Sequence, residues 1–213
     1  MKATLLQTAV SLLCLATAAT AKPILTSSST STPSHLERRS CPAPGETKTI
    51  WMPETWNIFP QQPDLYQESP VSGIELETLN GESHLEQVMA FRGIPHEATT
   101  CTLGWAQAHR TNRTFLVDGD NALLKVRPLS ELPQPATYDA VKEVDRDPSG
   151  GNKELHPDLT FWDDSEGAED HVAGKVACAH DMYFRVALND PKVKSHVYLG
   201  ADQQNGFWIE YSC

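Results

Sequence analysis

The stretch that decides the fold is residues 206–213, "GFWIEYSC". Phe207, Ile209, Tyr211 and Cys213 fall on one side of an extended chain, and Trp208, Glu210 and Ser212 fall on the other. A period of two is the pattern of a half-buried β-strand. Cys213 is in phase with the apolar side, so its sulfur is expected to point into a core. Prenylation offers no other reading of this cysteine, because that signal needs three residues after it.

The same alternation recurs outward from this strand. Cys101, Leu103 and Trp105 share a face in "CTLGWAQA", and Met182, Phe184, Val186 and Leu188 share one in "DMYFRVAL". "SHVYLG" is a further strand, with weaker candidates in "TWNIFP", "SGIELE", "EQVMAFRGI" and "LTFW"; a helical reading of Leu85 to Phe91 stays open. "TFLV-DGDN-ALLKV" gives two β-rich runs across a short polar turn, the signature of a hairpin. The expectation is an all-β, antiparallel β-sandwich of about eight or nine short strands. Pro128, Pro133, Pro135, Pro148 and Pro157 punctuate a long middle loop, from about Pro128 to His156, with a short helical turn at "TYDAVKEV".

The other end of the chain points to secretion. Lys2, an apolar run from Ala9 to Ala16, and Ala19-Thr20-Ala21 have the order of a signal peptide over residues 1–21, cleaved after Ala21. The apolar run is shorter than the roughly 20 residues a membrane span needs. Residues 22–39 are rich in Ser, Thr and Pro, too poor in large apolar groups to fold, and end in the dibasic pair Arg38-Arg39. They read as a propeptide cut after Arg39 or as a retained O-glycosylated stalk. Residues 40–213 then form a single domain.

Loss of the leader removes Cys14 and leaves Cys41, Cys101, Cys178 and Cys213. An even number in a secreted domain implies two disulfides, with three pairings open. The favoured pairing is Cys101–Cys178 with Cys41–Cys213, the second joining the ends of the domain. No C-x-x-C spacing suggests zinc or redox exchange. The full chain carries a formal charge of −11; without residues 1–39 it has 13 basic against 27 acidic residues, or −14. Such a surface repels nucleic acid and anionic lipid, which excludes those partners.

Three stretches together, "AFRGIPHEATTCTLGWAQA", "MYFRVAL" after a second cysteine, and the closing "GFWIEYSC", resemble the fungal But-type C-terminal domain family over roughly residues 54 to 213. The resemblance implies a secreted or surface-associated fungal β-sandwich and supplies no catalytic residues. The ubiquitin-pathway role behind the family's name does not suit a chain with a signal peptide and paired cysteines.

Few residues suggest chemistry. Asn112-Arg113-Thr114 is an N-glycosylation sequon between strands, with Asn112 the acceptor. Residues 158–170 gather carboxylates, of which Asp163, Asp164 and Glu166 are the candidate Ca²⁺ ligands. The spacing is not that of an EF-hand, and a solvated acidic loop is the plainer reading. A glycosidase pair in this loop would need two carboxyls held across a cleft. The histidines show no metal-ligand spacing, His180-Asp181 has no nucleophile to serve, and no cofactor is implied. Trp208 and Tyr183 lie on the sides of their strands opposite the apolar faces, where exposed rings stack on sugars or fill a second buried face. The function expected is that of a secreted, non-enzymatic protein of the cell wall or surface that contacts an extracellular protein or a wall polysaccharide. The alternatives are a carbohydrate-binding module using Trp208 and Tyr183, and a hydrolase with carboxylates in residues 158–170.

Overall fold

A computed structural model describes residues 40–119, 121–145 and 153–213; the signal peptide, Ala21, the 22–39 segment and Arg39 lie outside the described residues. Eleven strands follow one another: β1 (Lys48–Trp51), β2 (Glu54–Ile58), β3 (Ile74–Leu79), β4 (Glu82–Arg92), β5 (Thr100–Gln107), β6 (Phe115–Gly119), β7 (Leu124–Leu129), β8 (Glu169–Val176), β9 (Asp181–Leu188), β10 (Ser195–Leu199) and β11 (Gly206–Ser212). The single helix among the described residues is α1 (Tyr138–Val144), capped by the Thr137 hydroxyl, which accepts from Ala140 N.

Two antiparallel sheets pack face to face. One has the order β1-β11-β5-β8, and the other β6-β10-β3-β4-β9-β7 with β2 also on β4. Strand alternation fills the space between them. Leu103, Trp105, Phe207, Ile209 and Tyr211 come from the smaller sheet, and Leu76, Met89, Phe91, Phe184 and Val197 from the larger. Burial of this shared face is what holds two half-amphipathic sheets together. A second apolar cluster of Ile58, Val88, Leu129 and Val141 lies apart from this core. There α1 and residues 130–137 before it fold back over the outer face of the larger sheet; Pro128, the expected start of the middle loop, lies instead in β7, and residues 146–152 with Pro148 lie outside the described residues.

The sandwich agrees with the sequence expectation, and several details do not. Among the described residues the strands number eleven, because β1, only four residues long, and acidic β8 escape the alternation. β8 has the exposed pattern of an edge strand with a poorly buried face, which hides its period. "LTFW" is a turn: Phe161 takes a positive φ of 64° and is exposed, while Leu159 is buried. The region Leu85 to Phe91 is strand, not helix. The hairpin expected across residues 118–121 does not form. β6 pairs with β10 and β7 with β9, at opposite ends of the larger sheet. The polar turn marks a crossing between sheet edges, because each run finds a better apolar neighbour elsewhere.

Disulfides join Cys41 to Cys213 and Cys101 to Cys178, across 172 and 77 residues. The first pins β11 at its end to the segment before β1. The second ties β5 to the loop between β8 and β9.

Candidate functional site

The outer face of the smaller sheet carries an aromatic step. Trp208 on β11 points away from the core, as the alternation requires, yet its side chain is covered: the residue is only 8 % exposed. Its indole lies flat across Gly104 of β5, where any Cβ would fall inside the ring. Trp51, directly paired with Trp208 across β1 and β11, covers it with ring centroids 6.2 Å apart and planes tilted by 55°. Trp208 is therefore a foundation, and the ring presented to solvent is the partly exposed Trp51. Of the two readings of Trp208, an exposed sugar-stacking ring or the filling of a second buried face, the second holds. Extended β1 and β11 both project their outward residues at this register, and only a glycine on β5 leaves room for the first indole.

Trp51 forms one wall of a groove of about 430 Å³, whose other walls include His109, Glu169, Asp170, Gln203 and Gln204. That is the size of a small-ligand site. Buried Asn205, next in sequence to Gln204, holds the flanking loops. Its Oδ1 accepts from Ala108 N at 2.7 Å, and its Nδ2 donates to Asn112 O and to Asp202 Oδ2. This single side chain locks the loop bearing Gln203 and Gln204 against the 3₁₀ turn Arg110–Asn112. The groove thus offers an aromatic face, carboxylate acceptors and amide groups that both donate and accept.

Asn112 is exposed at the end of that turn and borders the groove. Tyr183 stands on the other sheet, on its outer face, and cannot share a surface with Trp208. Its ring packs against the second apolar cluster, Arg92 lies over it at 5.5 Å, and its hydroxyl accepts from Arg92 and donates to Asp181.

The acidic loop is organised around a cation that the chain itself supplies. Arg113 donates to the carbonyls of Ala108, Trp162, Asp163, Ser165 and Gly167. Asp163 accepts from Val117 N at 2.9 Å, and Glu166 pairs with Arg110 at 2.9 Å. Asp164 is exposed. The carbonyl oxygens that would complete a Ca²⁺ shell around Asp163, Asp164 and Glu166 are thus engaged by a guanidinium. Among the described residues, no three metal-ligating side chains converge. His180 does not orient a base: its Nδ1 contacts Ile94 O at 2.7 Å, and its ring stacks on His96.

Beneath the groove, on the core side, His171 stacks on Trp105 with centroids 4.0 Å apart and meets Trp162 edge-on. Burial lowers its pKa, against the opposing pull of Glu169 and Asp170.

The described residues contain no helix long and apolar enough to cross a membrane. Compared with protein-family models, curated proteins and solved structures, the chain matches none. Sequence reasoning singled out Trp208 and passed over Trp51. The signal was present in "KTIW", where Ile50 and Trp51 fall on opposite sides, but its strand is too short to stand out.

Proposed function

We propose that this is a secreted, non-enzymatic protein of the fungal cell wall or surface that binds a neutral wall glycan in the Trp51 groove. The observation that carries this reading is the partly exposed Trp51 ring, braced from behind by buried Trp208 and faced by carboxylate and amide side chains. An aromatic face accepts the C–H side of a pyranose, and fixed polar groups take its hydroxyls; preorganised rings lower the entropy cost of binding. The two disulfides suit an oxidising compartment. The But-type resemblance agrees with the assignment, and Asn112 is the expected N-glycan acceptor.

A hydrolase is the weaker reading. Glu169 and Asp170 line the groove, but they are successive residues of one strand and both are exposed. A general acid needs a carboxyl raised by burial, and the pair must flank the scissile bond.

The test is sedimentation of the secreted, oxidised protein with insoluble chitin, β-glucan and cellulose, with its N-glycan and after enzymatic removal, since Asn112 borders the groove. Binding to at least one polymer, lost in Trp51→Ala while circular dichroism stays native, is the expected result. Absence of binding to all three in both glycoforms would overturn it.

A further inference from the structure

Asn112 stands between two concavities. It borders the Trp51 groove, and it also borders a hollow of about 390 Å³ beside the end of β10. The sequon builds one side of this hollow, since Thr111, Asn112, Arg113 and Thr114 all line it. Tyr198 lines it as well. The alternation of β10 turns Tyr198 to the outer face of the larger sheet, because Val197 and Leu199 fill the core, and the residue is half-buried. The hollow stays open because Gly200 and Ala201, which follow, bring almost no side chain. Thr114 is fixed at the rim, its carbonyl accepting from Gly200 N at 2.9 Å.

The backbone at Asn112 is held while its amide nitrogen is left open. Its carbonyl accepts from Nδ2 of buried Asn205 at 3.2 Å. Arg113, the middle residue of the sequon, sends its guanidinium to the carbonyls of Trp162, Asp163 and Ser165. Asn112 itself is exposed, and its Oδ1 accepts from Thr111 Oγ1 at 3.4 Å. Among the described residues its Nδ2, the atom that carries an N-linked sugar, donates to nothing.

We propose that the first N-acetylglucosamine of an Asn112 glycan seats in this hollow against the Tyr198 ring, as a built part of the fold. Its transfer replaces one Nδ2 hydrogen by the anomeric carbon of the sugar. A lipid diphosphate donor of the secretory pathway is the leaving group and takes up the proton. The tether then decides the occupant. A sugar bonded to Nδ2 meets the hollow as an intramolecular ligand at high effective concentration, so weak contacts suffice. The C–H face of the ring packs on Tyr198, and the exposed Ser72 and Asp202 offer polar groups to the acetamide and hydroxyls. Seated on this side, the glycan leaves the Trp51 groove open to a polymer. The proposal rests on the secretion proposed above and not on glycan binding at Trp51.

The test expresses the full chain through a eukaryotic secretory pathway, confirms the Asn112 glycan by mass, and compares three forms by melting temperature. These are the intact glycoprotein, the protein trimmed by an endoglycosidase to one N-acetylglucosamine, and the sugar-free Asn112→Gln. The one-sugar form is expected to melt with the intact protein and about 2–4 °C above Asn112→Gln. That difference should vanish in a Tyr198→Ala background, whatever the substitution costs by itself, and persist in Trp51→Ala. In the wild type, magnetic resonance cross-peaks between the sugar C–H protons and the Tyr198 ring give the direct readout. A secreted chain without a glycan on Asn112, equal melting of the one-sugar and sugar-free forms, a difference that survives Tyr198→Ala, or absent cross-peaks would each overturn the proposal. Sedimentation of Asn112→Gln with the wall polymers tests the Trp51 groove separately, so the two readings fail independently.

Discussion

At the scale of single residues, environment rather than residue type decides what each side chain does. Trp208 and Trp51 are the same amino acid on paired positions, and one is a buried support while the other faces solvent. His171 shows how a position sets a charge. Its ring fills a slot between Trp105 and Trp162, and its Nε2 is buried without a partner. The folded chain holds it neutral, with a pKa below the ordinary value. The unfolded chain takes up a proton first, near pH 6.5, so ν for the unfolded state exceeds that of the folded state below it. The stability contributed by neutral His171 is therefore complete above about pH 6.5 and lost as pH falls from there towards the folded-state pKa. Denaturant midpoints between pH 7.5 and 5 should fall more steeply for the wild type than for His171→Phe, which keeps the stack without the charge. Parallel profiles would show that folding does not depress the His171 pKa.

At the scale of elements, Arg113 makes a loop behave as structure. Residues 162–167 form no ladder, yet their carbonyls at Trp162, Asp163, Ser165 and Gly167 all accept from one guanidinium. A planar fork of five donors serves this geometry, and a lysine ammonium does not. Arg113→Lys should leave two or more carbonyls without their donor and cost about 1–3 kcal/mol. Hydrogen exchange should rise in residues 162–167 while β5 and β11 stay protected; unchanged exchange there would refute this role. The same element-level view explains α1. Isolated seven-residue helices do not persist in water. Val141 and Val144 pack against Val88 and Tyr183, and Asp145 answers Arg127 and Arg185, so tertiary contacts hold it.

At the scale of the molecule, the two bridges act on distant parts of the sandwich. Cys41–Cys213 closes nearly the whole described chain, and a bridge over so long a loop chiefly limits the unfolded state. Cys213→Ser should lower stability by about 2–5 kcal/mol, measured by denaturant unfolding; an unchanged midpoint would show that the bridge carries no stability. The alternation in residues 101–107, 182–188 and 207–211 was enough to read an all-β domain with inward-facing Cys101, because period-two burial is a local property of each strand; the inward Cys213 expected from the same period is corrected, since it lies past the end of β11 and is exposed. Even cysteine number and charge were equally local. Which strands neighbour one another was not: residues 115–129 look like a hairpin, and only the pairing of β6 with β10 and of β7 with β9 separates the two runs. Neither concavity was legible either. The Trp51 groove depends on Trp51 of β1, Gly104 of β5 and Trp208 of β11 meeting from three segments, and the hollow beside Asn112 on the sequon meeting the end of β10. By itself the sequence determined the class of fold and most of the inward faces, since these follow from nearest neighbours along the chain. The tertiary structure alone decided sheet order, the disulfide pairing, which tryptophan faces solvent and which carboxylates answer Arg127 and Arg185, because each of these is a balance among residues far apart in sequence.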